Sequence, residues 1–204
     1  MTDRDDRRRL DVLADEVMYE GFFRLRRVTL SHQTFAGGMS PPIRREVLDM
    51  RRAIAVILYD PVRDELVMIE QFRIGATAHP EGGWVLELVA GIVEAGESDA
   101  DVAHRESMEE AGCAISDLEF VHEYMVAPAA TTERIALYVA RVDAAGAGGI
   151  HGVAAEGEDI RVAVMSADDA IAEARPGGRI NTTTPIIAMQ WLAVNRARLR
   201  TAWR

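Results

Sequence analysis

Residues 91–113 read GIVEAGESDADVAHRESMEEAGC. Ser98, followed three positions later by Asp101, has the form of a helix N-cap with its box partner. No glycine or proline intervenes before Gly112, which suits the left-handed position just past a helix end. The reading is a helix over 99–111, about three turns long. On it Glu106, Glu109 and Glu110 are related by i, i+3 and i+4, so they share one side. Three carboxylates placed this way repel one another, and the pattern makes sense where a doubly charged cation sits among them. Ligation by oxygen alone favours Mg²⁺, with Mn²⁺ as a substitute, over Zn²⁺. Gly91 lies ahead of the helix, after a strand ending near Val89. Its missing Cβ would let the backbone pass close to metal and substrate. Glu97 precedes the helix and is expected to pair with Arg105 and hold the loop. For an arbitrary glutamate-rich helix the bland alternative is a solvated acidic face.

The same stretch fits the pattern G-x5-E-x7-R-E-U-x-E-E-x-G-U, where U is apolar. All seven fixed positions match: Gly91, Glu97, Arg105, Glu106, Glu109, Glu110 and Gly112. With each residue type at roughly 5–10% of residues, a chance match in one window is on the order of 10⁻⁸, which sets the bland alternative aside. Ser107 and Cys113 stand where larger aliphatics are usual, and both are small enough to be buried. On these residues the chain resembles the Nudix hydrolases, which cleave a nucleoside diphosphate linked to another moiety with the help of magnesium. The resemblance continues in FAGGMS (35–40), RREVLD (44–49), DPVRDELVMIEQFRIG (60–75), LELVAGIVEAGES (86–98), TTER (131–134), GGIHGVAAEGEDIRV (148–162) and AMQWL (188–192). It is similar to the branch that splits ADP-ribose into AMP and ribose 5-phosphate, over roughly residues 20–204.

That resemblance implies roles position by position. Glu106 and Glu110 would bind metal together with the Ala90 carbonyl, and Glu158 would approach from the opposite side. Glu109 belongs to the same catalytic cluster. Glu156 would be the general base, with Glu158 its competitor. Arg45 and Arg73 would hold the diphosphate, Glu133 the terminal ribose, and Phe22 would stack on adenine. Gly91, Glu97, Arg105 and Gly112 would shape the box. A homodimer with crossing N-terminal strands is implied as well.

The residues' own chemistry agrees. Arginine offers paired donors to phosphate oxygens, and Glu156 lies between Gly152 and Gly157, in a loop able to close over substrate. Taken alone, either arginine is more often a surface residue, and Phe22 and Phe23 are more often core. Trp84 is assigned to packing. His32, His79, His104, His122 and His151 share no ligand spacing and are given no metal role. Before Thr131 the chain reads Pro128-Ala129-Ala130, where this branch typically carries paired glycines. Alanine disfavours positive φ, so the loop near the distal sugar is expected to take another shape. The alternative substrate is therefore another nucleoside diphosphate sugar, such as GDP-mannose or ADP-glucose. A non-catalytic nucleotide-sugar sensor is the alternative from another class.

Composition sets the frame. At 204 residues, 49% of them apolar, the chain is long enough for one domain with a real core and a small appendage. Its net charge of −10 argues against a nucleic-acid partner. Cys113 is its single cysteine, which fits a reducing cytoplasm. The charged start, MTDRDDRRRLD, lacks the apolar run of a signal peptide. No stretch approaches the roughly 18 apolar residues that a membrane span needs.

Residues 1–17 read as a charge-dense arm, frayed or helical. Strands are expected at 19–30, 43–49, 52–59, 65–73, 84–90, 118–126, 133–142 and 159–165. A glycine-rich flexible stretch covers 144–152. A short helix is expected at 167–174, and a last amphipathic helix from about Pro185 to Leu199. The fold class is α/β: an α/β/α sandwich with a mixed sheet, preceded by a small N-terminal antiparallel β subdomain. The expected division is 1–49 and 50–204.

Overall fold

The computed structural model describes residues 8–203, which fall into two units. The first comprises residues up to Arg51 together with Met125–Arg134. Its strands β1 (Leu10–Glu20), β2 (Arg24–His32) and β3 (Ile43–Asp49) form an antiparallel sheet in that order. Arg26 ties the sheet together, donating to both oxygens of Asp49 at 2.7 and 2.8 Å and to Asp15 at 2.6 Å.

The described part of the expected frayed or helical arm is instead a strand, and the single strand expected over 19–30 is two strands joined by a turn at 21–23. Residues 1–7 lie outside the described part. The pairing of β1 with β2 shifts register between Val12 and Ala14 and again between Val17 and Tyr19. Those irregularities break the period-2 alternation by which a strand is read from sequence. Phe22 and Phe23 fill no core. They sit in the turn, exposed, edge to face with ring centroids 4.8 Å apart.

Residues 127–132 fasten to the end of β3. Leu48 N–H donates to the Ala130 carbonyl at 2.8 Å, and Thr132 N–H to the Leu48 carbonyl at 3.1 Å. Ala130 and Thr131 both donate to the Ala127 carbonyl, so the loop closes as a turn. Among the described non-glycine residues, positive φ is confined to Asp64 and Asp117. Ala129 and Ala130 therefore make their turn without the left-handed backbone that glycines would permit.

The second unit comprises Arg52–Tyr124 and residues from Ile135 onward. Strands β4 (Ala53–Asp60), β5 (Glu65–Phe72), β6 (Trp84–Glu87), β7 (Val89–Ile92), β8 (Ser116–Met125), β9 (Arg134–Arg141), β10 (Ile150–His151) and β11 (Ile160–Ser166) make one sheet. Its order is β10-β11-β5-β4-β9-β8, with β6 also on β5 and β7 also on β4. β4 and β9 run parallel, while β4–β5, β5–β11 and β4–β7 are antiparallel, so the sheet is mixed. The single strand expected over 84–90 is split at Leu88, where the chain passes from β5 to β4.

Helices α1 (Asp99–Ala111), α2 (Ala167–Glu173) and α3 (Thr183–Ala202) complete the unit. The continuous apolar run of β4 reflects burial on both sides of the sheet. Ile54, Val56 and Leu58 pack in one cluster with Val102, Ala103 and Ala111 of α1. Ala55, Ile57 and Tyr59 pack in another with Ala170 of α2 and Met189 and Leu192 of α3. Helices thus cover both faces, the sandwich expected. Each fully buried aliphatic contributes about 1.5–3 kcal/mol, so the buried run of β4 contributes to both cores, beside β5 and β9.

Candidate active site

β7 and α1 bring the box together. β7 lies antiparallel to β4, with Ala90 opposite Ala55 and Gly91 opposite Ile54. The chain then turns into α1, whose start is fixed by a capping box: Ser98 Oγ accepts from Asp101 N–H at 3.2 Å, and Asp101 accepts from Ser98 N–H at 3.1 Å. The first helical residue is clamped to the sheet. Arg52 donates to both oxygens of Asp99, at 2.5 and 2.7 Å, and the Tyr138 hydroxyl donates to Asp99 at 2.6 Å. The helix ends at Gly112, in the left-handed conformation at φ 64°.

Arg105 gathers the outer carboxylates. It donates to Glu97 at 3.2 and 3.3 Å, to Glu106 at 2.6 Å and to Glu109 at 3.2 Å. Glu97 also accepts the Glu94 N–H at 3.0 Å, so the loop before the helix is stitched to Arg105 as expected. Glu110 points elsewhere. It is buried and accepts the Ala90 N–H at 2.9 Å. Desolvation raises the Glu110 pKa to about 8; the Ala90 N–H and Arg73 oppose the rise, while Glu106 and Glu158 reinforce it. Glu106 is also pushed up, chiefly by burial, against the pull of Arg105 and with repulsion from Glu109 and Glu158. A Cβ on Gly91 would overlap the Glu106 side chain, so a larger residue there would force Glu106 out of its place beside Arg105.

The loop after β10 supplies a further carboxylate. Glu158 accepts the Val153 N–H at 2.8 Å and is the loop carboxylate whose field reaches both Glu106 and Glu110. Glu156 ends a short 3₁₀ turn, Ala154–Glu156, and is exposed. Arg73 follows β5, pairs with Glu87 at 2.8 Å and acts electrostatically on Glu110. The remaining expected residues belong to the first unit. Arg45 is exposed on β3 opposite Val28, Phe22 is in the β1–β2 turn, and Glu133 is partly buried, with a pKa raised by that burial. Trp84, assigned to packing, is instead 68% exposed, its ring set edge to face with that of Phe72 at 5.3 Å between centroids.

The donor set suits a hard divalent cation: Glu106, Glu110 and Glu158 are oxygen donors whose charges burden one another, and Gly91 leaves room for the Glu106 side chain. Among the described residues no three His, Cys, Asp or Glu side chains already converge as a ready cage. Glu106 is drawn to Arg105 and Glu110 to the Ala90 amide, and rotation about their side-chain bonds would free both.

Sequence reasoning missed four partners: Glu87 on Arg73, Asp99 on Arg52 and Tyr138, the Val153 amide on Glu158, and His151, which lies over Gly112. Only Asp99 left a signal, as an acid in the first helical turn.

A NUDIX domain model matches residues 49–184. The chain is 43% identical over 198 residues to the ADP-ribose pyrophosphatase of Haemophilus influenzae, covering 96% of this chain and 91% of that one. To the ADP-ribose pyrophosphatase of Escherichia coli strain K12 it is 42% identical over 194 residues, covering 95% and 92%. The GDP-mannose pyrophosphatase of Cronobacter sakazakii is 30% identical over 170 residues, covering 82% and 87%. The crystal structure of an ADP compounds hydrolase superposes with a TM-score of 0.69 over 96% of each chain, at 20% identity, a likeness of fold.

Proposed function

The chain belongs to the Nudix hydrolases, and from that premise we propose that it hydrolyses the diphosphate bond of ADP-ribose to AMP and ribose 5-phosphate, with Mg²⁺ as its metal. One observation carries the reading: Glu110, buried against the Ala90 amide, lies in the field of Glu106 and Glu158, and the bare backbone of Gly91 leaves room for the Glu106 side chain. The near-full-length identity to proteins named ADP-ribose pyrophosphatase supplies the substrate.

Nudix hydrolases generally require a divalent cation; when bound, such an ion neutralises diphosphate charge and lowers the pKa of water. Here Glu106, Glu110, Glu158 and the Ala90 carbonyl would hold it, with Mn²⁺ as a substitute. Arg105 orients Glu106 and Glu109 and keeps Glu97 over the loop. Arg73, half exposed, offers its guanidinium to the diphosphate. Glu156, on the exposed 3₁₀ turn, takes the proton from the attacking water, with Glu158 held on the Val153 amide. The remaining roles fall on the first unit: Arg45 for the diphosphate, Phe22 for adenine and Glu133 for the terminal ribose.

A homodimer is part of the same proposal. β1 leaves Leu10, Val12, Leu13, Val17, Met18 and Tyr19 exposed, apolar surface that a second copy would cover. So is a cytoplasmic setting, which the lone buried Cys113 suits; among the described residues no helix is long and apolar enough to cross a membrane.

A second reading, GDP-mannose as the preferred substrate, draws on the turn at Pro128-Ala129-Ala130 and the 30% identical relative. A panel of ADP-ribose, ADP-glucose and GDP-mannose with Mg²⁺, in ¹⁸O water, tests both. ADP-ribose should show the highest kcat/KM, with label in one product only. Preference for GDP-mannose would reverse the assignment, and binding of ADP-ribose without turnover would make the chain a sensor.

A further inference from the structure

Where the loop bearing Glu156 and Glu158 leaves the sheet, its root is held on the end of α1. Gly152 N–H donates to the carbonyl of Glu109 at 3.0 Å. One residue earlier, His151 sits in β10, paired with Ile160 of β11, and its ring lies over Gly112. A Cβ added to Gly112 would stand 2.6 Å from His151 Cε1 and 3.2 Å from Nδ1. Glycine at 112 therefore answers two demands, the left-handed cap and the seat of an imidazole. The ring is fixed from its other end as well. His151 Nε2 lies 2.9 Å from the Gly148 carbonyl. A carbonyl can only accept, so Nε2 carries the proton and donates. One residue beyond Gly152, the Val153 amide holds Glu158.

We propose that His151 is a positioning residue for the reaction: by bridging the Gly148 carbonyl and the Gly112 seat, it pins the root of the 152–158 loop to the end of α1 and so aims Glu158 at Glu106 and Glu110. This rests on the ADP-ribose reading for its catalytic consequence, but not for the anchoring itself. The chain of contacts is short: ring to Gly112, Gly152 to Glu109, Val153 to Glu158. The ring meets the Gly148 carbonyl and Gly112, neither of which is expected to meet substrate, so its removal acts through geometry. Displacement of a catalytic group by about 1 Å costs up to about 100-fold in rate.

The test uses the full chain in three arms. In EDTA, hydrogen exchange of the Gly152 and Val153 amides should quicken about tenfold or more in His151→Ala, while the amides of β4 stay protected. In Mg²⁺ with ADP-ribose, the same variant should lose about 10- to 50-fold in kcat with KM within about threefold. His151→Gln, which restores an N–H for the Gly148 carbonyl, should recover most of that loss. In a Glu158→Gln background, His151→Ala should cost less than about threefold more, because both act on one group. Unchanged exchange at 152 and 153, or losses that multiply in the double variant, would overturn the proposal. A wild type that turns over no nucleotide sugar would overturn the functional reading and the catalytic half of this one, and leave the exchange arm to judge the anchor alone.

Discussion

Removing the charge from Glu110 should stabilise the chelated protein at alkaline pH while abolishing its turnover. Glu110 is 3% exposed, and burial lifts its pKa from an ordinary 4.5 to about 8. The unfolded chain releases this proton near pH 4.5, and the folded chain keeps it until about pH 8. Between those limits the folded state binds more protons, so stability falls as pH rises. At about 1.4 kcal/mol per pH unit the full interval corresponds to about 5 kcal/mol. Glu106 titrates in the same field, and sharing of the proton brings the expected loss to about 2–5 kcal/mol. Glutamine has no charge to desolvate and can still accept from the Ala90 amide. Urea denaturation in EDTA, run between about pH 5.5 and 8.5, reads the difference directly. Wild type should lose stability across that range. Glu110→Gln should be flatter, with a residual slope from Glu106 and Glu133, and should be the more stable protein at the alkaline end. Equal slopes in the two proteins, or a variant weaker than wild type at about pH 8.5, would refute the reasoning.

Three further substitutions probe the box. Gly91→Ala should drive a methyl into the Glu106 carboxylate and cut kcat by about 100-fold or more, measured by steady-state turnover of ADP-ribose. Ser98→Ala removes the cap of α1 and should cost about 1 kcal/mol in a denaturant titration. Arg105→Lys cannot reach Glu97, Glu106 and Glu109 together, and should cost about tenfold in kcat, with the loop ahead of α1 more open to proteolysis.

The helix carrying the box was legible to the residue, because its cap, its carboxylates and its terminal glycine are all local signals. The burial of Ser107 and Cys113 was legible from their size. The division of labour among the glutamates was not. Spacing places Glu106, Glu109 and Glu110 on one side, yet Arg105 claims the first two while the Ala90 amide takes the third. That split depends on where β7 lies, a long-range fact. β1 was missed because two register shifts scramble its alternation, and its apolar residues, wet on the single chain, leave no core face to read. His151 shares no ligand spacing with the other histidines, and its neighbours are a glycine and a carbonyl, neither of which shows in a search for spacing.

The central claim is that Glu106, Glu110 and Glu158 turn from their protein partners to a divalent cation beside the diphosphate. A crystal structure of the full chain with Mn²⁺ and a non-hydrolysable ADP-ribose analogue tests it most directly. Anomalous scattering should place the ion about 2.0–2.3 Å from carboxylate oxygens of all three and against the diphosphate. Saturating Mn²⁺ with Glu106 still on Arg105, Glu110 still on the Ala90 amide and the ion bound elsewhere would contradict it.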